Sequence, residues 1–87
     1  MAVVLLYGRQ DCAYSRAAKE MLRERRVEFR EVEVDRDPDK MEEMIRRAGG
    51  RTTTPQIFVD GRHVGGADDL ARMADRGQLD ALAHMQG

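Results

Sequence analysis

No tryptophan, one cysteine and two prolines occur in this 87-residue chain, and two Phe and two Tyr are all its Phe/Tyr/Trp aromatics. A single cysteine excludes an internal disulfide framework. One cysteine with two histidines, His63 and His84, falls short of a zinc site within one chain. An excess of one charge is also missing, because 15 basic and 16 acidic residues leave a formal net charge of −1. That balance supplies no field to draw in nucleic acid or an anionic membrane, and neither is expected as a partner. No apolar run approaches the length that spans a bilayer. No basic segment followed by an apolar stretch opens the chain, so a cytoplasmic location is expected. What remains, 41% apolar and 36% charged residues, suits one globular domain over residues 1–87. Six Met, with Leu, Val and Ala, must fill its modest core.

The lone cysteine lies in Asp11-Cys12-Ala13-Tyr14-Ser15. An apolar run, Val3-Val4-Leu5-Leu6-Tyr7, precedes it and reads as a buried strand. Arg16-Ala17-Ala18-Lys19-Glu20-Met21-Leu22 follows and reads as a helix. Cys12 therefore belongs where a strand hands over to the first turn of a helix. Free N–H groups and the positive dipole end favour an anion there. A thiol in that position loses its proton more easily, and the thiolate is the nucleophile. Arg9, Arg16 and Lys19 add positive charge nearby. Taken alone, a single cysteine reads more readily as a small apolar core residue, and the context in this chain reverses that.

The order of elements follows from periodicity and turn chemistry. Residues 2–7 form a first strand, apolar on both faces and so central in its sheet. A helix over about 13–26 presents Ala17, Ala18, Met21 and Leu22 inward. A second strand, starting after Phe29, alternates Val32 and Val34 with Glu31 and Glu33, and should run parallel to the first. Asp37-Pro38 opens a second helix with Met41, Met44, Ile45 and Ala48 on one face, and Gly49-Gly50 ends it. Residues 55–59 form a third strand, and Asp60-Gly61 turns it into an antiparallel fourth, Arg62-His63-Val64. Asp68 and Asp69 open a third helix with Leu70 and Met73 inward. Leu79, Leu82 and Met85 suggest a short last helix against the core. The fold expected is α/β, β-α-β-α-β-β-α, a four-stranded mixed sheet flanked by helices in the thioredoxin-like arrangement. Cys12 then sits at the C-terminal end of a central strand, where α/β sheets place ligands.

Three segments converge on one chemistry. They are Cys12-Ala13-Tyr14-Ser15, Thr53-Thr54-Pro55 before the third strand, and Gly65-Gly66-Ala67-Asp68-Asp69 before the third helix. Together they resemble the glutaredoxin family, over nearly the whole chain and most closely its short bacterial members. The run Arg51-Thr52-Thr53-Thr54-Pro55-Gln56-Ile57-Phe58-Val59-Asp60-Gly61 is especially typical. The resemblance implies a glutathione-dependent thiol–disulfide oxidoreductase. In the family a threonine-valine-proline segment with a cis proline runs beside the thiol, and its exposed backbone pairs with the extended tripeptide. Thr53, Thr54 and Pro55 match it, with Thr54 in place of valine. Gly66, Ala67, Asp68 and Asp69 match the segment that holds the γ-glutamyl end, with N–H groups for the carboxylate and an Asp for the ammonium. Either aspartate also reads simply as a helix cap. Arg9 matches the family's lysine facing the glycine carboxylate, and Tyr14 matches the aromatic residue that flanks the ligand.

The family's common motif is Cys-Pro-Tyr-Cys, whereas this chain has Ala13 and Ser15 at the second and fourth positions. Ser15 cannot close a disulfide on Cys12. A monothiol route remains, in which Cys12 takes glutathione from a mixed disulfide with a protein and a second glutathione regenerates it. Ser15 is expected to donate a hydrogen bond to the thiolate. The implied partners are glutathione and glutathionylated proteins, acted on by a monomer. The alternative is a carrier in which two copies share a [2Fe–2S] cluster, each giving one cysteine and one glutathione. Ala13 removes the proline that disfavours this. The chain lacks the Cys-Gly-Phe-Ser motif of the dedicated carriers.

Overall fold

A computed structural model describes residues 2–87. Four strands and four helices follow one another as β1 (Val4–Gly8), α1 (Ala13–Glu24), β2 (Arg30–Glu33), α2 (Pro38–Arg47), β3 (Gln56–Val59), β4 (Arg62–Gly65), α3 (Ala67–Asp75) and α4 (Gln78–Gln86). The sheet order is β2-β1-β3-β4. β1 pairs parallel with β2 and antiparallel with β3, and β3 pairs antiparallel with β4. β1 is therefore flanked on both sides, as its apolar run requires. The edge strand β2 carries Arg30, Glu31 and Glu33, charges that discourage further pairing.

Alternation along β1 divides the interior in two. Val4 and Leu6 join Ile57, and α1, α3 and α4 cover them with Ala18, Leu22, Leu70, Leu79 and Leu82. Tyr7 turns the other way, joining Phe58, Val34 and the Met44 and Ala48 side of α2. On that second face the Tyr7 hydroxyl donates to Glu43 and accepts from Arg47, whose guanidinium lies over the Phe58 ring.

Local chemistry sets the ends. Asp37 caps α2 by accepting from the N–H groups of Asp39 and Lys40, with Pro38 at the first helical position. Asp60 and Gly61 both adopt positive φ, 51° and 82°, the twist that a two-residue hairpin needs.

Three expectations are corrected. α1 ends at Glu24, and its buried stripe is Ser15, Ala18, Lys19 and Leu22, with Ala17 exposed. Ala fits either face, so the phase was set by neighbours that sequence does not display. Lys19 is not a free charge beside the cysteine, because its ammonium is 2.8 Å from Glu31 on β2. Met85 is 58% exposed. Gln86 anchors α4 instead, donating to the Glu28 and Ala2 carbonyls and accepting from the Glu28 N–H.

Candidate active site

Cys12 occupies the N-cap of α1, just past the end of β1, and is partly exposed. Its sulfur sits between two hydroxyl residues. Thr54 Oγ1 lies 3.3 Å from Sγ and donates to it, and the Thr54 carbonyl lies 3.6 Å away, placed to accept from the S–H form. Ser15 is fully buried beneath the site, and its Oγ accepts from the Arg9 N–H at 3.2 Å. That bond leaves the Ser15 proton available to the sulfur. Burial pushes the Cys12 thiol up. The Ser15 and Thr54 hydroxyls, with the N–H groups of Ser15 and Tyr14, outweigh it and bring the thiol down to about 7.

Beside the sulfur runs a groove of about 460 Å³. One wall is Thr53, Thr54 and Pro55, and the Thr54–Pro55 peptide is cis. The other is Gly66, Ala67, Asp68 and Asp69 at the start of α3, and Tyr14, 67% exposed, also lines it. The walls nearly touch at one end, where a Cβ built on Gly66 would lie 3.4 Å from the Pro55 carbonyl oxygen. Cys12 borders the groove through its contacts with Thr54.

Gly66, not an aspartate, is the N-cap of α3. Asp69 contributes from the third helical position, accepting from the Gly66 N–H at 2.9 Å. Its carboxyl is held below the usual range first by that N–H, then by Arg72, whose guanidinium is 2.7 Å away, with Arg51 also close. Asp68 is exposed at the rim.

The structure thus gathers Cys12, Ser15, Tyr14, Thr53, Thr54, Pro55 and the 66–69 turn into one place. The half-buried Arg9 reaches Ser15 through its backbone, and its side chain is not part of the groove wall. The arginines in the wall are Arg51 and Arg72. Sequence reasoning missed both, although Arg72 stands three residues after Asp69, the spacing of a helical ion pair. It also missed Gln56, fully buried, whose amide donates to the Thr53 carbonyl at 2.9 Å and whose oxygen meets His63 Nε2 at 2.7 Å.

Comparison with known proteins decides the family. The Glutaredoxin family model matches residues 4–64, from β1 into β4. The chain belongs to the glutaredoxin family. It is 48% identical over 82 residues to Glutaredoxin 3 of Escherichia coli K12, covering 94% of this chain and 98% of that one. A glutaredoxin of Pseudomonas aeruginosa is 42% identical over 82 residues, covering 94% and 96%. The solution structure of glutaredoxin from Brucella melitensis superposes with a TM-score of 0.82 at 40% identity, covering 100% of this chain and 94% of that one. Membership makes this glutaredoxin a glutathione-dependent thiol oxidoreductase with a thioredoxin-like fold. No helix among the described residues is long and apolar enough to cross a membrane.

Proposed function

We propose that this glutaredoxin removes glutathione from mixed disulfides of proteins and small thiols by a monothiol mechanism, acting as a monomer through Cys12. One observation carries the reading. The chain's only sulfhydryl, titrating near neutrality, borders a groove whose walls offer open backbone and a helix start. The Thr53–Pro55 backbone pairs with the extended tripeptide, and Tyr14 flanks it. N–H groups at Ala67 and Asp68 take the γ-glutamyl carboxylate, and Asp68 and Asp69 take the ammonium. Arg9, on the loop before Cys12 and outside the groove wall, extends to the glycine carboxylate.

The Cys12 thiolate attacks the glutathione sulfur of the mixed disulfide. A Cys12–glutathione S–S bond forms, the original S–S bond breaks, and the substrate sulfur leaves as a thiolate that solvent protonates. A second glutathione thiolate then attacks the sulfur of the bound glutathione. Cys12 leaves as thiolate and oxidised glutathione departs. The substrate sulfur is reduced to a thiol, one glutathione thiol is oxidised, and the disulfide bond passes into oxidised glutathione, so Ser15 never needs to be a cysteine.

Mass spectrometry after incubation with oxidised glutathione should find a single adduct, on Cys12. Cys12→Ser should abolish turnover of a glutathione mixed disulfide, and retention of half the activity overturns the reading. Arg9→Ala should raise the glutathione KM more than it lowers the saturated rate. A brown dimer with visible absorbance after anaerobic purification, without turnover, would instead favour the cluster-sharing alternative.

A further inference from the structure

We propose that the Thr54 hydroxyl is a catalytic group in its own right, donating to the Cys12 sulfur whenever that sulfur is a thiolate, both before attack and as it leaves. The proposal rests on the monothiol reading and gives Thr54 a task beyond its backbone. Residue 54 presents two polar atoms to one sulfur. Its carbonyl at 3.6 Å suits the protonated form, and its hydroxyl at 3.3 Å suits the ionised form. An S–H needs an acceptor and an S⁻ needs a donor, so the same residue serves both states without moving.

The surroundings leave this work to uncharged donors. Arg16 donates to the Gln10 carbonyl, Lys19 to Glu31, and Arg72 to Asp69, with Arg51 also beside that carboxylate. Arg9 and Asp11 are the charged residues of the loop before Cys12, and neither side chain makes a hydrogen bond to the sulfur among the described residues. Ser15 is the other hydroxyl, but it comes from the same helix turn as Cys12. Thr54 comes from a separate segment, 42 positions away, that lines the groove in which the proposed function seats the incoming disulfide. Its hydrogen bond therefore bears on the sulfur from the side on which bonds are made and broken. A stabilised thiolate is also the better leaving group, so the second exchange gains from it, while the first gains near neutral pH through a larger thiolate fraction.

The test uses Thr54→Val, which keeps the shape and loses the hydroxyl, Thr54→Ala, which loses it with less volume, and Thr54→Ser, which keeps it. Alkylation of Cys12 by iodoacetamide across pH needs no glutathione and reads the sulfur directly. Thr54→Val and Thr54→Ala should move the midpoint up by about one pH unit, with a high-pH plateau about threefold faster because the less stabilised thiolate is more nucleophilic. Thr54→Ser should keep the wild-type midpoint. Release of glutathione from the preformed Cys12 adduct should slow several-fold in the Val and Ala variants. A wild-type midpoint in either Thr54→Val or Thr54→Ala, or a shifted one in Thr54→Ser, overturns the proposal. Failure of the monothiol reading looks different: wild type would show the low midpoint and no turnover of glutathione mixed disulfides.

Discussion

Gly8 leaves Ser15 the space it occupies at the junction of β1 and α1. A Cβ built on Gly8 would stand 3.1 Å from Ser15 Oγ, 3.2 Å from its Cβ and 2.9 Å from Leu6 Cδ2. Gly8 thus makes room for one of the hydroxyls that act on Cys12. Gly8→Ala should displace Ser15, destabilise the fold by about 1–3 kcal/mol through overpacking, and raise the pH midpoint of Cys12 alkylation. Urea unfolding and a pH–rate profile measure the two effects, and an unchanged midpoint would remove Ser15 from the list of donors.

Cys12 titrates at about 7 in the folded chain against an ordinary 9.0. A depressed acid of this kind stabilises the fold fully above its unfolded value. That contribution is lost progressively as pH falls from about 9 through 7. The unfolding free energy of wild type relative to Cys12→Ala should therefore be greater at pH 9.5 than at pH 6. Thiol exchange should rise through the same region, with its half-maximum near pH 7. A flat stability difference over that range would contradict the lowered thiol.

Asp69 ties the start of α3 to Arg72 while accepting from Gly66. Asp69→Asn should cost about 1 kcal/mol at pH 7. Its carboxyl lies below the ordinary 3.8, so the stabilisation is present above that value and lost as pH falls below it. The difference between wild type and Asp69→Asn in urea should shrink towards pH 3. Equal differences at pH 7 and pH 3 would mean that the charge contributes nothing.

Gln56 holds the Thr53 carbonyl and hydroxyl from below, at 2.9 and 3.2 Å. Gln56→Leu should leave that carbonyl short of a partner and cost about 1–3 kcal/mol. The glutathione KM should rise more than the saturated rate falls, because Thr53 is groove wall and not reacting group. Steady-state kinetics at varied glutathione separates the two, and a fall in the saturated rate alone would assign Gln56 to the chemistry instead.

Much of this was legible in the sequence because it rests on short-range signals. The apolar run of β1, the Asp37-Pro38 start, the Asp60-Gly61 turn and the glycines before α3 each dictate their conformation within a few residues. Cys12 could be placed for the same reason. What was hidden depends on partners distant in sequence. Lys19 reads as a spare cation until β2 brings Glu31 to it. Ala17 and Ser15 are both small, so composition does not say which one faces inward. Nothing in the sequence singles out Gln86, because its partners Glu28 and Ala2 lie far from it along the chain. Thr54 reads as a mild replacement, and only its distance to the sulfur shows what the hydroxyl adds.

Cys12 and the residue whose hydroxyl meets it are 42 positions apart in the chain. A nascent or unravelled copy therefore carries an unremarkable thiol, blunt towards oxidants and alkylating agents. Sharpness arrives in two parts, as α1 forms around Ser15 and Tyr14 and as the later half of the polypeptide docks Thr54. Folding itself arms the enzyme, and quick labelling of Cys12 at neutral pH doubles as a count of finished molecules.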